Sequence, residues 1–220
     1  MALEQYIAEL FSGAATNQRL QRIHEALDAF SRQKGAWRDC LYFLNHTSKN
    51  ETAMYCLTVL EVSGTWKNAH TCQSDLNLSC LSQGFITKGW GGLTSSEQKQ
   101  LLDTLYHWIR EKHHLVPFFI RNKAVQLVVH VARSDWPSKY PEFYNDILQL
   151  ISSPDPSCAV LGLLFLQTAS EELGTPRDDL LSARKAELKQ QLLRLVPDTL
   201  SVLSGSRTGT SGYPGKRIEL

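Results

Sequence analysis

Apolar residues recur along this chain at the three- and four-residue spacing that lines one face of a helix, and strand-like alternation is hard to find. Leu20, Ile23, Leu27 and Phe30 form the first clear stripe, with Thr16 or Asn17 placed to cap it and Gly35 to end it. Trp37, Leu41 and Leu44 open a second helix, and Ala53, Cys56, Leu57 and Leu60 a third. Further on come Leu101, Leu105, Trp108 and Ile109, then Pro117 at a helix start followed by Val125, Val128, Val129 and Ala132. Pro137 and Pro141 flank the next start, whose stripe is Phe143, Ile147, Leu150 and Ile151, and residues 152–156 are a turn that ends it. Val160, Leu163, Leu164 and Gln167 predict the helix after that turn, and Leu181, Leu188, Leu192 and Leu195 mark the last one, over residues 182–203.

These helices pair as outer and inner members. Outer members beginning near Ala36, Leu101, Tyr140 and Ala183 stand 65, 39 and 43 residues apart. The last two intervals match an α-solenoid period of about 40–47 residues. The excess in the first falls on residues 62–94, where helical periodicity is lost and Gly64, Gly84, Gly89, Gly91 and Gly92 gather among many Ser, Thr and Asn. The pattern predicts an all-α fold, an α-α superhelix of HEAT-like repeats forming a partial solenoid. Its segments are 1–61, an inserted flexible loop over 62–94, further repeats over 95–203, and a disordered Gly-rich tail over 204–220. Apolar residues of the last helix that would meet a further repeat are expected to form an exposed patch and to drive self-association.

Composition narrows the function. Of 220 residues 42% are hydrophobic and 33 are leucine, which excludes disorder throughout. Lys and Arg number 23 against 22 Asp and Glu, so at net charge +1 no global field favours nucleic acid or an anionic membrane, and neither is an expected partner. No apolar run approaches the roughly 20 residues of a membrane span. The acidic start Met1-Ala2-Leu3-Glu4 lacks the basic region of a signal peptide, so a reducing compartment is expected, and Cys40, Cys56, Cys72, Cys80 and Cys158 read as buried free thiols.

Catalytic chemistry finds no footing. His70, Cys72 and Cys80 lack a fourth ligand and a zinc spacing, so no metal is expected. Residues 209–217 miss the phosphate-loop pattern at both ends. Adjacent acids such as Glu171 and Glu172, or Asp178 and Asp179, point about 100° apart on a helix and do not flank one substrate. Without a nucleophile elbow, a dinucleotide loop or a cofactor motif, the chain reads as a binding protein rather than an enzyme. The densest unusual stretch is Pro117-Phe118-Phe119-Ile120-Arg121-Asn122-Lys123, followed by Arg133-x-Asp135-Trp136-Pro137. Phe119, Ile120 and Trp136 are expected in the core, Arg133 near a helix C-terminus and Asp135 at the start of the next helix. Arg121, Asn122 and Lys123 are left as the polar group to explain.

With Phe143-x3-Ile147-Leu148-x-Leu150 and Ser170-Glu171-Glu172-Leu173, that stretch resembles the N-terminal region of the exportin branch of the importin-β superfamily. Gly35-Ala36-Trp37-Arg38-x-Cys40-Leu41-Tyr42-Phe43-Leu44, Thr175-Pro176-Arg177-x-Asp179-Leu180 and Ala183-Arg184-Lys185 are similar to one member of that branch, and the match covers residues 3–61 and 95–203. The resemblance implies a HEAT-repeat receptor that binds the small GTPase Ran in its GTP form and carries protein cargo out of the nucleus. For the member in question the implied cargo is actin, alone or with profilin. Nuclear pore proteins are further implied partners, and shuttling between nucleus and cytoplasm the implied location. Ran contacts carried over to this sequence fall on Arg121, Asn122, Lys123, Glu171 and Glu172. Residues 62–88 interrupt the family pattern after Leu60-Glu61, and the chain carries only the N-terminal repeats of such a receptor. Other readings are a helical scaffold binding peptides without Ran, or a truncated form without function.

Overall fold

Thr16 caps its helix through Oγ1, which accepts the Arg19 amide, and Thr94 and Glu97 form a reciprocal capping box. Such polar starts and apolar stripes set the elements of the computed structural model, which describes residues 2–33, 35–61, 93–174 and 181–208. These residues hold helices α1 (Ala2–Phe11), α2 (Asn17–Ser31), α3 (Ala36–His46), α4 (Asn50–Leu60) and α5 (Ser95–Lys112). Then follow α6 (Phe118–Asp135), α7 (Phe143–Ile151), α8 (Pro156–Gly174) and α9 (Ser182–Thr208). No strand occurs among the described residues, as an all-α fold requires. The expectations for most of the 62–94 insertion and for 209–220 fall outside them.

The chain divides into two compact units, 1–131 and 132–220, and the division runs through α6. In the first unit α1 packs on α2 and α4, and α3 on α4 and α5. Segments 1–61 and 95–131 therefore share one core, in which Ile7, Ile23, Trp37, Leu57, Leu101 and Ile109 are buried. Two buried polar groups within it are matched by backbone: the Trp108 indole Nε1 donates to the Leu44 carbonyl at 2.7 Å and the Tyr55 hydroxyl to the Leu27 carbonyl at 2.8 Å, whereas Thr52 Oγ1 and His113 Nε2 are buried without a partner among the described residues. At the edges, Arg19 grips Glu9 through two hydrogen bonds of 2.7 and 2.8 Å, and Arg38 pairs with Glu97 across α3 and α5.

Cys40 and Cys56 meet in this core, both fully buried. The hydrogen bond with Cys56, reinforced by burial, raises the Cys40 thiol pKa. Burial, with the nearby thiols, likewise raises the Tyr55 hydroxyl. Both groups hold their protons longer when folded than when unfolded. Their contribution to stability is complete below the ordinary thiol pKa of about 8.5 and is lost as pH climbs from there toward the raised values. Thermal melts followed by circular dichroism are expected to fall in midpoint from pH 8 to 10.5. The fall should be shallower in the Cys40→Ala, Tyr55→Phe variant, and an unchanged slope in that variant would assign the alkaline loss to other groups.

In the second unit α7 packs on α8 and α9, and α8 on α9. Trp136 lies edge-on to Phe143 and stacks on Tyr144, with ring centroids 6.5 and 6.2 Å away. The Trp136–Pro137 bond is cis. Arg184 of α9 reaches the C-terminal end of α6, where it donates to the Arg133 carbonyl at 3.0 and 3.2 Å and to the Trp136 carbonyl, and it pairs with Glu187 at 2.6 Å. Helix ends leave such carbonyls without intrahelical donors, so this one side chain satisfies backbone that would otherwise be orphaned.

Several expectations are corrected. Gly35 does not end α2, which is capped by Arg32; it sits at the N-cap of α3. Outer helices expected near Leu101 and Tyr140 begin at Ser95 and Phe143, the first because the Thr94 box starts it a turn and a half earlier. Phe119 is exposed rather than packed, whereas Ile120 and Trp136 are buried. Asp135 closes α6 instead of starting α7, with its carboxylate 3.3 Å from Lys139 Nζ. Cys158 is only half-buried.

The stripe expected for α8 turned the wrong way, since Val160 and Leu163 are exposed while Leu161, Gly162, Phe165 and Ala169 face inward. The helix is apolar on nearly every side, so spacing alone selects no face, and the bare backbone at Gly162 decides it. The last helix runs past Leu203 to Thr208, with Ser204 Oγ donating back to the Ser201 carbonyl at 2.9 Å. Leu188 is buried on its inner side, while Leu193, Val196 and Leu200 form the exposed apolar strip expected of it. Among the described residues no helix is long and apolar enough to cross a membrane.

Candidate partner-binding residues

Pro117 organises the first turn of α6: its carbonyl accepts the Ile120 and Arg121 amides, both at 3.1 Å, and its ring fixes the backbone without forfeiting a needed donor. Ile120, Ala124, Val128 and Val131 then set the buried side. Arg121, Asn122 and Lys123 follow on the flanks of that side, each half-buried.

The three differ in what they have to offer a partner. Lys123 is joined through Nζ to the carboxylate of Glu61, the residue that caps α4, so its charge is already compensated within the unit. Arg121 has an Nε sealed from water that meets no acceptor among the described residues. An unmatched buried donor is costly, and a guanidinium is best matched by a carboxylate. The Arg121 Nε is out of a partner's reach, but Arg121 and Asn122 are half-buried and, unlike Lys123, are held by no ion pair among the described residues.

The other two candidates lie on α8, in the second unit. Glu171 is exposed, and its Oε1 accepts Gln167 Nε2 at 3.0 Å. Glu172 is 7% exposed, its Oε2 shut away from water, and is therefore not on a surface that a partner meets. Both were carried over from the Ser170-Glu171-Glu172-Leu173 motif, but successive helical residues point about 100° apart, and here Glu171 faces outward while Glu172 does not.

A feature missed in the sequence is the exposure of Leu115, Phe118 and Phe119. The signal was available: with Ile120 and Ala124 on the buried side, Phe119 lies about 100° off it and Phe118 about 200°. Among the described residues no group of three His, Cys, Asp or Glu side chains is placed to hold a metal ion, and His70, Cys72 and Cys80 lie outside them.

Residues 117–205 match the exportin 1-like protein family, whose fold is a helical HEAT-repeat solenoid. Exportin-6 of Mus musculus and exportin-6 of Homo sapiens are each 39% identical to this chain over 204 residues, which is 93% of the chain. A more distant relative, exportin-6 of Dictyostelium discoideum, is 21% identical over 201 residues. The chain covers 16% of the mouse and human proteins and 18% of the Dictyostelium one.

Proposed function

The chain belongs to the exportin family, and from that premise we propose that it supplies the Ran-GTP-dependent, N-terminal part of a nuclear export receptor whose cargo is actin or profilin-actin. The observation that carries this reading is the 39% identity to exportin-6 sustained over 93% of the chain. The motif residues and the helices that present them support it together. Arg121 and Asn122 on α6, and separately Glu171 on α8, are the side chains assigned to Ran. Lys123 acts indirectly, by tying the start of α6 to the end of α4 through Glu61. Glu172 takes no part in the contact. The receptor moves between nucleus and cytoplasm, past the pore proteins that line the route, and performs no catalysis.

The test is capture of purified Ran by the 220-residue chain, with Ran loaded with GTP or with GDP. Retention of the GTP form alone is expected. Truncating one partner of a desolvated charge pair costs about 2–5 kcal/mol, so Arg121→Ala should weaken capture by at least about tenfold. Equal capture of both nucleotide states, or of neither, would sink the reading.

A further inference from the structure

We propose that the corner between α5 and α6 is a docking surface for an acidic protein segment that carries large apolar side chains. Leu115 and Phe118 are each 65% exposed and Phe119 is 45% exposed. The two phenyl rings stand edge to face with centroids 6.2 Å apart, so they present a shaped pair. Val116 and Pro117 between them are half-buried, which makes five consecutive apolar residues at one solvent-facing turn. Single exposed hydrophobes are ordinary, whereas a contiguous aromatic group rimmed by polar residues marks an interaction site.

Charge identifies the occupant. Residues 110–123 contain Arg110, Lys112, Arg121 and Lys123 against one acid, Glu111, in a chain whose net charge is only +1. Glu111 is engaged by His107 at 3.2 Å. Lys123 is held by Glu61, and Arg110 lies over the Tyr106 ring, 5.8 Å from its centroid. Lys112 and Arg121, both half-buried, are left as the cations flanking the apolar group. A carboxylate matches the planar guanidinium in a directed way, and aromatic anchors beside an arginine are the chemistry of binding hot spots. Two flanking cations are too few for the clusters of about 4–8 basic residues that hold a protein on anionic lipid. They also fall short of the basic stripe that follows a nucleic-acid backbone.

The surface is tested with a fluorescein-labelled peptide alternating glutamate with leucine and phenylalanine, titrated against the full chain by anisotropy. Controls are the same peptide with lysine for each glutamate and with alanine for each apolar residue. The acidic apolar peptide is expected to bind, with affinity falling as salt rises. Binding should weaken by about tenfold or more in Leu115→Ser/Phe118→Ser/Phe119→Ser and in Lys112→Glu. Phe118→Ser alone, at the most exposed ring, should weaken it measurably, and circular dichroism should show its helix content unchanged. Absence of binding, equal binding of the lysine peptide, or an unaltered isotherm in the serine variants overturns the proposal. So does tighter binding to phosphatidylserine vesicles or to a single-stranded oligonucleotide. Capture of Ran is read by its nucleotide state, so either proposal can fail without the other.

Discussion

Gly162→Ala is expected to destabilise the second unit by about 3 kcal/mol, although glycine to alanine inside a helix ordinarily stabilises by about 1 kcal/mol. A β-carbon built at Gly162 would lie 2.7 Å from the Ile151 backbone nitrogen, 2.8 Å from Ile151 Cγ1 and 2.9 Å from Leu150 Cβ. The first of these neighbours is backbone and does not swing aside. α8 must therefore retreat from the end of α7, and the packing of Phe165, Ile147 and Leu150 loosens with it. Urea unfolding of the variant followed by circular dichroism measures the loss. The control is Gly205→Ala, where a β-carbon meets nothing within 4 Å and the ordinary helix preference should prevail. A Gly162→Ala variant as stable as the parent would mean that the two helices do not approach this closely.

Trp108→Ala is expected to cost the first unit about 4 kcal/mol, the larger part from the cavity left by a buried indole. Trp108 is 3% exposed on α5, and its Nε1 donates to the carbonyl of Leu44 near the end of α3. Removing it also strands a buried acceptor, a penalty of about 1–3 kcal/mol. Trp108→Phe separates the two contributions, since it restores most of the ring and none of the hydrogen bond. Its loss should be about half that of the alanine variant. Equal losses in the two would show that the hydrogen bond, rather than the volume, is what joins α5 to α3.

The stripes of α3 and α5 were legible because each sets a single apolar side against a polar one, and Trp37, Leu44, Leu101 and Leu105 are all buried; α4 is enclosed on nearly every side from Thr52 on, so Leu57 and Leu60 were bound to be buried. For α8 the pattern failed: Val160 and Leu163 repeat at helical spacing as faithfully as Leu161 and Phe165 do. Only the approach of Ile151 to Gly162 breaks the tie, and that is a tertiary fact. The candidate site divides in the same way. Arg121, Asn122 and Lys123 stand out in sequence by type and order. The pairing of Lys123 with Glu61, far away along the chain, and the burial of Glu172 depend on how helices meet. The clamp of Arg184 on the carbonyls of Arg133 and Trp136 was equally hidden, because a backbone acceptor leaves no mark in composition.

Glu97 accepts from the Thr94 amide and hydroxyl, both at 2.9 Å, and also pairs with Arg38 on α3. The same carboxylate thus marks where α5 starts and pins that start to the preceding helix. Rotational phase in α5 is consequently reset at residue 94, independently of the number of residues that separate it from Glu61. Insertions or deletions between those points leave Leu101, Leu105 and Trp108 pointing at the same neighbours. A gene could lengthen or shorten that connection over generations without a frame error in the packing. Sequence drift at this place is insulated from the core by four residues.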